Sequence, residues 1–260
     1  MFRTTLIIVI LSALLNGQTA TGKTPKRDFY QIKVYHLKDT DQEKTVEAFL
    51  EKAYLPALHR AGIEKIGVFK PVPAAGTTEL LIYVFIPFSS YEQFSKLDQR
   101  LDKDSRYQQD GSLYLNATIA KPPFERIESI LLNAFAGNPH FSLPKLSGPK
   151  KDRIYELRSY EGPTEKLYWN KVEMFNKGDE VGLFRRLNFN AVFYGEVVSG
   201  SRMPNLMYLT TFENRADRDE HWKAFSNDAY WKQLSAKPEY QGNVSRNDTR
   251  FLYPVGYSDI

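Results

Sequence analysis

Cysteine is absent from the 260 residues. That excludes a disulfide framework, a thiolate metal site and a lipidated cysteine behind a leader, so a packed core must hold the chain by itself. A strong charge excess is also missing. The formal charge is +4, with 35 basic and 31 acidic side chains interspersed, which leaves no basic stripe for nucleic acid. No apolar run reaches the roughly 20 residues that a spanning helix needs. There is no nucleophile elbow, phosphate-cradling glycine loop or dinucleotide fingerprint, and Gly195 and Gly200 stand isolated, as turn or strand-packing glycines do. No cofactor is expected.

Present instead are 42% hydrophobic and 14% aromatic residues, enough for a substantial core in two units of ordinary domain size. Residues 1–22 differ from the remainder. Arg3 is the one charge, residues 6–15 are almost wholly apolar, and Ala20, Thr21 and Gly22 follow as a small-residue exit. This order is that of a secretory signal and predicts cleavage before Lys23, with export to a periplasmic or extracellular space and no membrane association afterwards. Asn116, Asn243 and Asn247 each open a glycosylation triplet, which matters only in a glycosylating host.

After the leader, residues 29–37 (FYQIKVYHL) alternate like a strand, with Tyr30, Ile32 and Val34 on one face and Gln31, Lys33 and Tyr35 on the other. Thr40 and Glu43 form a capping box for a helix whose apolar stripe runs from Val46 to Ala61 and stops at Gly62. Pro56 should kink that helix or start a second segment. Strands are expected at 63–70 and 80–86 around a turn at 71–78, then a short helix at Tyr91, Phe94 and Leu97. Residues 98–123 give no clear pattern, and 124–135 supply a closing strand. The stretch 137–150, rich in Pro, Gly and Ser, reads as a linker.

The cycle then restarts. Tyr155 and Tyr160 follow Tyr30 and Tyr35 at an offset of 125, and Tyr208 follows Tyr83 at the same offset. That agreement points to internal duplication, with a first unit at 23–136 and a second at 151–260. In the second, Pro163 and Glu165 open a helix, strands are expected at 190–197 and 206–212, and a helix carries His221, Trp222 and Phe225. Each unit reads as strand, helix, strand, strand, helix, strand.

IYELRSY at Ile154, NKGDE at Asn176, FRRLNFNAVFYGEV at Phe184, MPNLMYLTTFEN at Met203, HWKAF at His221 and the terminal YSDI resemble the NIPSNAP family throughout residues 151–260. The first half is similar in pattern only. The resemblance implies an α+β fold of tandem ferredoxin-like units forming an intramolecular dimeric α/β barrel. It implies no settled activity and no catalytic set.

A barrel of this kind encloses space, and polar strand faces must be paired or line it. The candidate ligand-binding residues are therefore Gln31, Lys33 and Tyr35 in the first copy and Glu156, Arg158 and Tyr160 in the second, with Tyr83, Tyr194 and Tyr208 beside them. Such a pocket suits a small organic molecule bearing a polar or anionic group. Glu156 and Arg158 could equally pair with each other or with cross-strand neighbours, and the tyrosines could simply pack. Among the histidines, His59 and His221 lie on helices, His36 at a strand end and His140 in the linker. No metal-ligand spacing connects them, and His36 and His140 read as surface residues. Three functions stay open: a small-molecule binder, a cofactor-free monooxygenase or isomerase in which Arg158 orients an anion and Glu156 or a tyrosine moves a proton, and a non-catalytic interaction module. Duplication supplies both halves of a barrel in one chain and does not forbid a homo-oligomer of barrels.

Overall fold

The computed structural model describes residues 26–74, 76 and 79–260. The proposed signal at 1–22, with Lys23, and part of the expected turn at 71–78 lie outside them. In chain order the elements are strand β1 (Phe29–Leu37), helix α1 (Thr40–Phe49), helix α2 (Leu55–Arg60), strands β2 (Gly67–Pro71) and β3 (Leu80–Phe88), and helices α3 (Tyr91–Ser95), α4 (Leu97–Asp102), α5 (Ser105–Asp110) and α6 (Ser112–Leu115). Strands β4 (Arg126–Ala134) and β5 (Ile154–Glu161) lead to helices α7 (Glu165–Asn176) and α8 (Glu180–Arg186). Strands β6 (Phe193–Ser199) and β7 (Asn205–Phe212), helices α9 (Arg215–Asn227) and α10 (Ala229–Ser235), and strand β8 (Arg246–Pro254) complete the chain.

The eight strands close into an antiparallel barrel in the order β1-β3-β2-β8-β5-β7-β6-β4. Read around the circle, the first half runs β4-β1-β3-β2 and the second β8-β5-β7-β6, the same order in each copy. The copies are joined at two seams: β2 on β8, beginning at Phe69 opposite Pro254, and β4 on β6, where a bulge falls between Leu131 and Leu132. A closed barrel leaves no unpaired edge.

Closure sorts the side chains by parity. Tyr30, Ile32, Val34, Phe69, Leu81, Phe85, Tyr155, Leu157, Phe193, Met207, Leu209 and Leu252 form one buried cluster drawn from every copy of the sheet and from no helix. This is the barrel interior. The opposite faces pack against α1, α2 and α4 in the first half and α7, α8 and α9 in the second.

Several local expectations shift by a residue or two. Asp39, not Thr40, caps α1, accepting from the N–H groups of Asp41 and Gln42. Pro56 is the second residue of α2, which follows a wide π-helical turn over Leu50–Tyr54, because a residue without N–H cannot continue the α-helical ladder. The unpatterned stretch contains α5 and α6, each too short to show periodicity. The linker has no strand but is firmly attached: Ser142 N–H donates to the Val192 carbonyl at 2.8 Å, Phe141 N–H to Asp28 at 3.0 Å, and Ser147 and Gly148 N–H to Glu213 at 2.7 Å each. Phe141 packs against the interior cluster and so helps to close that end of the barrel.

The terminal YSDI is a fastening. Ser258 Oγ accepts from Val68 N–H at 3.0 Å, Asp259 Oδ2 accepts from Ile66 N–H at 2.9 Å, and Ile260 is 4% exposed in the interior cluster. Removing residues 258–260 should therefore cost at least the burial of one isoleucine, about 2 kcal/mol, and lower Tm by several degrees in thermal unfolding. An unchanged Tm would show that the tail is not part of the core.

Candidate functional site

The structure reverses the parity on which eight of the nine candidate residues were chosen. Gln31, Lys33 and Tyr35 lie on the helix-covered face of β1: Gln31 donates to Ser129 at 2.8 Å, Lys33 sits over the Tyr54 ring, and Tyr35 is in the helix-side core. Glu156, Arg158, Tyr160, Tyr194 and Tyr208 occupy the corresponding face of the second half. Tyr83 alone among the nine points inward. The 125-residue offset fails at that residue too. Tyr30 opposes Pro87 and Tyr155 opposes Thr211, so the β3-to-β7 offset is 211 minus 87, or 124, and Tyr83 corresponds to Met207. A one-residue slip moves a side chain to the other face.

The polar residues of β5 are consumed by a buried ion network beneath α9. Glu156 is 0% exposed. It accepts from Arg158 Nε at 2.7 Å, Arg218 Nε at 2.7 Å, Arg218 Nη2 at 2.9 Å and Trp222 Nε1 at 2.8 Å. The Arg158 guanidinium lies 3.8 Å from the Trp222 ring centre and donates to Tyr160 Oη at 3.0 Å, and the Tyr160 and Tyr208 hydroxyls are 2.8 Å apart. Burial alone would raise the Glu156 pKa, but Arg218 and Arg158 outweigh it and hold the carboxyl below its ordinary value. Every acceptor site of this carboxylate is used, as a structural tie requires. A second buried pair, Lys171 and Glu180 at 3.0 Å, joins α7 to α8.

The open space is elsewhere, at the end of the barrel where β1 finishes. There a cavity of about 160 Å³ has an apolar floor of Val34, Leu81, Ile130, Leu157 and Met207 and a charged rim. Three arginines, Arg126, Arg202 and Arg250, face three carboxylates, Glu79, Glu128 and Asp248. Arg126 Nη1 donates to Glu128 Oε1 at 2.7 Å and Arg202 Nη1 to Asp248 Oδ2 at 2.6 Å. Arg250 is held more loosely, 3.5 Å from Asp248 and 3.4 Å from Glu79. Burial pushes the Tyr83 phenol up to about 12, against the opposing pull of Arg250. Asn205, 2% exposed, donates to Ser159 Oγ at 2.9 Å, while its Oδ1 is buried without a partner. Beyond the floor the interior is filled by aromatic side chains such as Phe69, Phe85 and Phe193.

His36 also lines this cavity, its Nε2 2.9 Å from Glu128 Oε1. The sequence reading as a surface residue is corrected here. The signal was available, since His36 continues the Tyr30, Ile32, Val34 face. His59 pairs with Asp259, and His221 hydrogen-bonds the Asp217 carbonyl. Among the described residues no group of three or more His, Cys, Asp or Glu is placed to hold a metal ion, and no helix is long and apolar enough to cross a membrane.

Residues 155–259 match the NIPSNAP family model. The match agrees with the motifs of the second half and leaves the first without a family assignment. No curated protein is similar enough in sequence to count as a relative. Among solved structures, a candidate monooxygenase from Fusobacterium nucleatum is similar at TM-score 0.57 and 9% identity, covering 88% of this chain and 93% of its own. A second candidate monooxygenase, from Lactobacillus acidophilus, is similar at TM-score 0.56 and 12% identity over 88% of this chain and 94% of its own. An anthrone oxidase-like protein has TM-score 0.50 and 11% identity, covering 89% and 93%. At such identities the likeness is one of fold, and it spans both copies.

The ion network predicts a pH signature. Because the Glu156 pKa is depressed on folding, its contribution is present above the ordinary carboxylate pKa of about 4.3 and is lost as pH falls through the lower folded value. Glu156→Ala should cost about 3 kcal/mol by leaving two part-buried arginines without their carboxylate, and Glu156→Gln should flatten the loss of stability below pH ~4. Urea unfolding across that range checks both. Wild-type-like acid sensitivity in Glu156→Gln would remove the network from the account.

Proposed function

We propose that the protein binds a small organic molecule at the open end of its barrel. The observation that carries this reading is the combination, in one cavity of about 160 Å³, of an apolar floor and a charged rim. Arg250, with the longest ion pairs on the rim, is the cation most able to turn toward an anionic or polar group of the ligand. The NIPSNAP match and the fold shared with candidate monooxygenases are consistent with a ligand-holding barrel.

Native mass spectrometry of protein purified from its own host tests this reading and should show a retained small molecule. Ile130→Trp, which fills the floor, should abolish retention with little change in Tm. Arg250→Met should weaken binding of an anionic ligand by about tenfold, the worth of one charge-assisted hydrogen bond. Retention unaffected by both substitutions would place the ligand elsewhere or dispose of the site.

We also infer export, from the basic start, apolar middle and small-residue exit of residues 1–22. N-terminal sequencing of the protein from culture medium or periplasm should begin at Lys23. An intact Met1 on cytoplasmic protein would overturn the inference.

A further inference from the structure

The rim contains one pair whose chemistry exceeds binding. His36 and Glu128 stand on neighbouring strands, with His36 opposite Arg126 and Glu128 opposite Val34, so they are diagonal neighbours on the interior face. Their side chains meet at 2.9 Å, and Arg126 donates to the same carboxylate oxygen at 2.7 Å. Burial would raise the Glu128 pKa, but the hydrogen bond and charge of Arg126, joined by His36 when it is protonated, hold it below its ordinary value. An ionised carboxylate can only accept hydrogen bonds. The His36 Nε2 is therefore the protonated nitrogen, and in the neutral ring the lone pair resides on Nδ1. No hydrogen bond to Nδ1 occurs among the described residues. This is the arrangement of a general base: an imidazole oriented by a carboxylate, with its basic nitrogen unengaged, at the wall of a cavity with an apolar floor.

We propose that His36, positioned by Glu128, accepts the proton of a weakly acidic hydroxyl, a phenol or an enol, on a small molecule seated in the cavity. This rests on the reading of the cavity as a ligand site. In the step the ligand's O–H bond breaks, its electron pair stays on oxygen, and the proton passes to His36 Nδ1. No oxidant, reductant or further reactant is required. The resulting imidazolium faces Glu128, whose charge stabilises it, and the ligand oxyanion gains the attraction of Arg250 across the rim. Both members of the pair belong to the half without a family match.

The probe is 4-nitrophenol, whose neutral and ionised forms absorb at different wavelengths, added to the full chain at the pH where free probe is half ionised. Calorimetry measures binding and absorbance measures the ionised fraction of the bound probe. The expected result is saturable binding with the bound probe mostly ionised. His36→Gln, which can still donate to Glu128, should bind the probe with its ratio of ionised to neutral form lowered about tenfold. Glu128→Gln should give an intermediate decrease. Absence of saturable binding to wild type would overturn the cavity reading itself. Binding without enrichment of the ionised form, or equal enrichment in His36→Gln, would leave the cavity reading intact and overturn the role of His36. The wild-type measurement decides even if a variant fails to fold.

Discussion

Everything in this molecule follows from the closing of two four-stranded sheets into one barrel through the β2–β8 and β4–β6 seams. An open sheet lets a strand turn a polar face to water. A closed one does not, because each side chain points either into a narrow interior or under a helix. The interior is filled at the Tyr30 end by aromatic rings and by Phe141 of the linker. Where β1 and β5 end the column stops short, and there polar groups can face inward and still reach solvent.

The two polar clusters have opposite characters for the same electrostatic reason. Under α9, Glu156 is surrounded by four donor contacts and excluded from water, so its charge is fully spent on local partners. Removing any one of them is costly and no acceptor is left for a ligand. At the cavity the charged groups are part exposed, and Arg250 is held only by long pairs, 3.4 Å from Glu79 and 3.5 Å from Asp248. Partial satisfaction is poor for stability and useful for binding, since the ligand supplies the missing contact.

The order of strands and helices was legible because strand alternation and helix stripes act locally, and the duplication made each half a check on the other. The resemblance of the second half to the NIPSNAP family, matched over residues 155–259, was legible for the same reason: its motifs lie on contiguous stretches. The cavity was not legible, because it depends on which face of each strand turns inward. The need of polar strand faces to be paired or to line the interior suggested that the face of Gln31, Lys33 and Tyr35 would border the enclosed space. In fact the helices bring the partners, Tyr54 over Lys33 and Arg218 and Trp222 onto Glu156, and these pairings cross tens of residues. His36 and Tyr83 share the parity of Ile32 and Phe85, so the information was present but read with the faces exchanged.

Register also shows how a duplicated chain comes to have a one-sided site. With Tyr155 standing for Tyr30, Val34 corresponds to Ser159, and the residues opposite them on β4 and β8 are Glu128 and Asp248. Both copies thus keep a carboxylate at the same place on the rim, each bonded to an arginine. Around that shared pair the copies differ. Ile130 corresponds to Arg250, Tyr83 to Met207 and Val34 to Ser159. A barrel of two identical chains would repeat every such residue about its axis, giving either two cations or none and two phenols or none. Joining the copies in one chain removes that constraint. The mouth can then present His36, Tyr83 and an apolar wall on one side and Arg250, Ser159 and Asn205 on the other, which is the asymmetry needed to hold a small molecule in one orientation.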